Sequence, residues 1–146
     1  TTDERYSMDQ WSGYDMARTR LLEFLATRKP ANPIVLTGDV HSNWVNDLKV
    51  DFTNPRSPVV ATEFVGTSIS SGGDGTDMPG DMRQLLSENP FVKFHNGQRG
   101  YVRCELTANR LQADYRVVEA VSVPVARAVT RASFIVQSGR PGAERL

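Results

Sequence analysis

The sequence predicts an α/β fold, and three observations carry the prediction. Residues 15–28 place Met16, Leu21, Leu22, Leu25 and Ala26 broadly at helical spacing, with Arg18, Arg20, Glu23 and Arg28 available for a wet face. After Pro30 and Pro33, the apolar and β-branched run Ile34-Val35-Leu36 reads as a buried strand. Helix, short loop and strand in that order make an α/β unit. Gly38 then breaks the strand, and Asp39 and His41 follow at once. The ends of strands are where open α/β sheets hold their ligands.

Length and composition bound what such a unit can do. A chain of 146 residues suits one domain with a core of reasonable size. At 39% hydrophobic and 23% charged it has an ordinary globular balance. The formal net charge is +0, so there is no electrostatic case for nucleic acid or an anionic membrane surface. Phosphate binding would need a local site. One cysteine, Cys104, excludes an internal disulfide framework. No stretch reads as a signal peptide, and no apolar run is long enough to cross a bilayer as a helix.

The elements follow in order. Thr1 to Ser7 is polar and leads into Met8-Asp9-Gln10-Trp11-Ser12-Gly13-Tyr14, an aromatic-rich loop. Trp11 and Tyr14 are expected to anchor that loop to the core, with the wall of a site as the other reading. Asp9 reads as a cap or solvated carboxylate. The helix over 15–28 and the strand from Ile34 come next. Val45 to Phe52 suits a short helical turn leading into a strand, with ambiguous periodicity. Residues 53–58 form a loop by their prolines, and Val59 to Val65 a strand. Gly66 to Gly73 is small and hydroxyl-rich; it can cradle an anion or be a plain turn. It is not a P-loop, because the Gly-Lys-Ser/Thr ending is missing.

Asp74, Asp77 and Asp81 do not fit an EF-hand spacing and read as a solvated acidic loop. Met82 to Glu88 reads as a short helix, and Phe91, Val92 and Phe94 return apolar bulk to the core. Residues 95–100 carry an Asn-Gly turn signal; His95 reads as an exposed turn histidine, with reach to the site as the other reading, and Arg99 as a surface or structural pair, with phosphate contact as the other. Tyr101 to Thr107 and Arg110 to Val118 alternate as a hairpin, with Cys104 as a small buried residue. Thr130 to Val136 is a last strand, and Ser138 to Leu146 a frayed polar tail.

The chemistry centres on Asp39 and His41. A carboxylate and a neutral imidazole can both ligate a cation. A turn or capping carboxylate and a satisfied loop histidine account for the same residues. With Val40 turned into the core, both side chains would face one crevice.

Thr37-Gly38-Asp39-Val40-His41-Ser42-Asn43-Trp44 resembles the C-terminal metal motif of the PhoD-like alkaline phosphatases and phosphodiesterases. So do Met8 to Tyr14, Ala61-Thr62-Glu63-Phe64-Val65-Gly66-Thr67-Ser68-Ile69-Ser70-Ser71, and Gln98-Arg99-Gly100-Tyr101. These segments stand in the family's order over residues 8–136.

The resemblance implies an α/β chain forming the C-terminal half of a four-layer α/β/β/α metallophosphoesterase sandwich. Residues 1–137 would be that half of the catalytic domain and residues 138–146 the tail. It implies metal-dependent hydrolysis of phosphate monoesters or diesters, with Asp39 and His41 as catalytic metal ligands. The metal centre would be di- or multinuclear, with iron and calcium expected and other divalent ions possible. Two ligands do not close such a site. The partner implied is the N-terminal half of the same enzyme, as a separate chain or a missing segment, which would supply the remaining ligands. The substrate is a phosphate ester, and an extracellular or periplasmic location follows from the resemblance alone. Thr67 and Ser68 would lie behind the ligands near the cleft. Two other classes compete. A non-catalytic metal-binding or interaction domain would bind no ester, and a serine hydrolase using residues 67–71 would ignore chelators.

Overall fold

The computed structural model describes residues 8–146, and the polar opening, residues 1–7, lies outside the described residues. A short 3-10 helix, Trp11–Gly13, leads into helix α1, Asp15–Arg28. The helix stops where Lys29 adopts the left-handed conformation and its amide donates to the Leu25 carbonyl. Pro30 then forbids continuation. The expected helix forms, but its apolar face is thinly covered. Leu22 is buried, while Met16 and Phe24 are exposed.

Strands β1 (Ile34–Thr37), β2 (Asn43–Lys49), β3 (Val59–Val65) and β4 (Val92–Asn96) form one sheet in the order β1-β3-β2-β4. Only β1 and β3 run parallel; β2 is antiparallel to both of its neighbours. The ambiguous stretch after Trp44 is therefore a strand. Its burial alternates, with Asn43, Val45 and Asp47 turned inward. Helix α2, Met82–Glu88, precedes β4 as expected. β1 is not the buried strand that its composition suggests. It is an outer strand of the sheet, and Leu36 is 61% exposed.

The second sheet is an antiparallel meander of β5 (Gly100–Leu106), β6 (Arg110–Val118), β7 (Ala128–Gln137) and β8 (Arg140–Arg145). The expected hairpin is β5–β6, closed over Ala108 and Asn109. β8 corrects the reading of residues 138–146 as a frayed tail. Its main chain pairs with β7, and the amides of Gly142 and Ala143 donate to Thr62 and Asp47 of the first sheet. Main-chain pairing orders this strand, a stabilisation that its polar composition does not advertise.

The two sheets share one core. Val45, Phe64 and Phe94 meet Leu111, Ala113, Tyr115, Ala132, Phe134 and Val136. The Phe94 ring lies 5.1 Å from Tyr115 and 5.6 Å from Phe134, within the favourable aromatic range. α1 packs on β3 and contributes nothing to that cluster. The fold is a mixed α/β arrangement of two small sheets and few helices.

Candidate functional site

Three loops converge at one end of the first sheet. Because β1 and β3 are parallel, their carboxyl ends coincide, with Thr37 beside Val65. Residues 38–42 leave β1 and pass to β2, which starts beside the same end, with Trp44 opposite Val65. The hydroxyl-rich loop leaves β3 there, and β4 ends there, with Asn96 opposite Asn43. The 97–99 corner then carries the chain to the second sheet.

Asp39 and His41 occupy the first of these loops, both with positive φ, 74° and 53°. The Val40 amide donates to the Gly38 carbonyl at 2.9 Å, closing a three-residue turn with Asp39 at its centre. A γ-turn with positive central φ is the rarer, strained form. Left-handed conformations cost non-glycine residues roughly 1–3 kcal/mol each where the surroundings enforce them, and they gather at functional sites. Both side chains are exposed, and neither makes a hydrogen bond among the described residues. Val40 is also exposed rather than turned into the core, so backbone curvature, not strand alternation, sets where its neighbours lie.

What holds this loop lies behind it. The Trp44 indole donates to Ser42 Oγ at 2.7 Å, and that hydroxyl donates to the Val40 carbonyl. The Thr37 hydroxyl and the Asn46 amide both donate to Glu63, tying β1, β3 and β2 together just below the turn. Asn43 is fully buried; its amide nitrogen donates to Asn96 Oδ1 and the Gln98 carbonyl, and its oxygen accepts from the Thr67 amide. Arg99 is 6% exposed and donates to the His41 carbonyl at 2.5 Å. A hydrogen bond from a charged donor contributes roughly 1.5–3 kcal/mol, enough to offset the left-handed conformation at His41.

Sequence reasoning places several of these residues wrongly. His95 is 4% exposed, not a turn histidine. It lies on β4 opposite Trp44, whose ring it meets edge-on at 4.3 Å. Burial pushes its pKa below the ordinary histidine value, against the opposing charge of Asp81. Arg99 is structural but interior, a clamp on carbonyls and hydroxyls rather than a surface pair. Cys104 is exposed on β5, not buried. Asp74 and Asp77 are solvent-accessible, as expected, but also serve as structural ties. Asp74 accepts from the amides of Val121 and Ser122, and Asp77 takes a bidentate pair from Arg131 plus Asn96. Trp11 and Tyr14 are exposed instead of anchored in the core. Asn43 and Asn96 were missed altogether. Their one signal is that two asparagines flank strand ends, which composition alone does not separate from turn residues.

The donor set fits a hard or borderline cation: one carboxylate oxygen and one imidazole nitrogen on a strained loop. It is incomplete. Among the described residues no group of three or more His, Cys, Asp and Glu side chains could hold a metal ion. Ser68 has no base beside it among the described residues. Ser68 Oγ donates to the Ser71 carbonyl at 2.7 Å and accepts from Arg99 at 3.0 Å, so its hydroxyl meets a cation and not a base.

A sequence model of the PhoD-like phosphatases matches residues 1–115. The chain belongs to that family. It is 47% identical over 141 residues to alkaline phosphatase D of Bacillus subtilis (strain 168). That match takes in 97% of this chain and 24% of the relative, so the chain spans about a quarter of the curated relative's length. A solved structure described as the structure of PhoD superposes with a TM-score of 0.90 at 47% identity. It covers 97% of this chain and 27% of that one. The observed arrangement of sheets and helices is therefore the family's own in this region.

Proposed function

We propose that this chain carries one side of a metal-dependent phosphoesterase centre, with Asp39 and His41 as its metal ligands. The observation that carries the reading is the pair of left-handed, non-glycine residues whose side chains are exposed and unbonded while their backbone is clamped from behind. Strain of that kind is kept where it presents a side chain. Membership of the PhoD-like family supplies the reaction class.

On this reading residues 1–137, extended by β8, form the C-terminal half of a four-layer α/β/β/α domain. An N-terminal half, as another chain or segment, supplies the remaining ligands. The centre is di- or multinuclear; iron and calcium, or other divalent ions, suit a carboxylate and imidazole set. Bound metal would lower the pKa of a water and stabilise charge on the phosphate ester. Asp39 and His41 would hold the ions at the carboxyl ends of β1 and β3. Val40 and Ser42 keep the two ligands at fixed separation, and the exposed turn leaves the ester access. A location outside the cytoplasm follows the family expectation.

The test uses a chain that contains this segment together with the rest of the family's length. Hydrolysis of p-nitrophenyl phosphate and of bis-p-nitrophenyl phosphate is measured with and without chelator. Activity should vanish on chelation and return with metal, and Asp39→Ala and His41→Ala should each lose at least a hundredfold with folding unchanged. Chelator-resistant turnover, or full activity in both variants, would overturn the reading.

A further inference from the structure

We infer that Arg99 is the residue that positions the candidate ligand loop, by holding the His41 carbonyl and the serine loop on one guanidinium. Its Nη1 donates to the His41 carbonyl at 2.5 Å, to Ser68 Oγ at 3.0 Å and to Thr67 Oγ1 at 3.4 Å. Its Nη2 donates to the Gly97 carbonyl at 2.8 Å. The loops after β1 and β3 and the corner before β5 therefore meet at one planar group.

The group is unusual for its depth. Arg99 is buried, yet no carboxylate pairs with it among the described residues; every partner is a carbonyl or a hydroxyl. Nε is buried and has no partner among the described residues. A buried cation with neutral partners carries a desolvation cost that a salt bridge would relieve more fully. Such an arrangement stabilises the fold poorly and fixes geometry well. Glycine backbone passes close to it: a Cβ on Gly72 would sit at ordinary contact, 3.7 Å, from both terminal nitrogens, and one on Gly75 would meet the Gly97 carbonyl oxygen at 2.0 Å and Nη2 at 2.9 Å. A lysine has one nitrogen at a point and cannot address three loops in a plane.

Arg99 is a positioning residue. Its two terminal nitrogens bond to the loops around it and its Nε is buried, so its route to a ligand or substrate runs through His41 and Ser68. The fixing of the loop stands on this geometry alone; its consequence for metal binding rests on the function proposed above.

The experiment compares Arg99→Lys and Arg99→Gln with Gly139→Ala, a variant in an unrelated turn, in a full-length protein carrying this segment. Hydrogen exchange is followed at the Val40 and Thr67 amides, which bond to the Gly38 carbonyl and to Asn43. Both Arg99 variants should exchange there at least tenfold faster than wild type, with β6 and β7 unchanged. Gly139→Ala should leave the two amides alone. Calcium and iron retained after gel filtration, read by mass spectrometry, should fall at least fivefold in Arg99→Lys. Unaltered exchange in Arg99→Lys would overturn the inference. So would faster exchange spread evenly over β6 and β7, which marks a merely structural role. Wild-type protein that retains no metal while its Arg99 variants loosen the loop would overturn the metal reading and leave the positioning role standing.

Discussion

The Tyr115 hydroxyl, on the second sheet, donates to the main-chain carbonyl of Trp44 on the first. Trp44 is the second residue of β2, just past the candidate ligand loop, so one side chain ties the core to the base of that loop. Burial holds the phenol pKa far above its ordinary value, and the group stays a donor throughout the working pH range. Tyr115→Phe keeps the ring packed against Phe94 and Phe134 and removes only the donor. It should cost about 0.5–1.5 kcal/mol, the net contribution of one hydrogen bond. A urea titration checks this: the midpoint should fall with the slope unchanged.

Two glycines separate conformational strain from steric exclusion. Gly100 has φ 155°, and a Cβ there would lie 1.9 Å from the Arg116 carbonyl oxygen. Gly139 has φ 80° and open space around the same position. Gly139→Ala should therefore cost about 1–2 kcal/mol from backbone conformation alone. Gly100→Ala should exceed about 3 kcal/mol, because main chain cannot step aside as a flexible side chain can. Thermal unfolding of the two variants measures the gap.

Acid should weaken the fold in two separate windows. His95 has a folded pKa below its unfolded value of about 6.5. Its contribution is complete above that pH and is lost as pH falls from it towards the lower folded value, where only the unfolded chain takes up the proton. The second window belongs to carboxylates. Hydrogen bonds from Arg131 hold the Asp77 pKa low. At Asp114 burial pushes upward, but bonds from Ser133, Arg103 and Gln112 outweigh it. Their stabilisation is present above the ordinary carboxylate range and is lost below it. Urea midpoints measured across pH should show both falls. His95→Phe, which keeps a ring against Trp44, should abolish the upper one and spare the lower.

The fold was legible where local signals and tertiary pairing agree. α1 has a helical spacing and a proline stop, and β5–β6 has alternation on both sides of an Asn turn, so both fall where the residues put them. β8 was not legible, because main-chain bonds to β7, Thr62 and Asp47 hold it rather than apolar side chains. His95 and Cys104 were misplaced for one reason. Which side chain is covered depends on how the sheets stack, and no local pattern of residues 95–104 encodes that. At the candidate site, Asp39 and His41 were legible as donors from their types and from the strand before them. The asparagine and arginine frame behind them was not, since Asn43, Asn96 and Arg99 come together only when three loops meet.

The outer edge of β1 yields the last prediction. Leu36 is exposed on an end strand that has a neighbour on one side only among the described residues. We propose in addition that the N-terminal half of the proposed reading packs against this edge. Burying a leucine contributes about 1.5–3 kcal/mol. Leu36→Glu should then destabilise a full-length protein by about 2–3 kcal/mol, losing that burial. Val125 is 93% exposed in the loop between β6 and β7, and Val125→Glu should change stability by no more than about 0.5 kcal/mol. Chemical unfolding of both variants decides the matter. If Leu36→Glu is as silent as Val125→Glu, the β1 edge faces water in the complete protein, and the proposed half docks elsewhere.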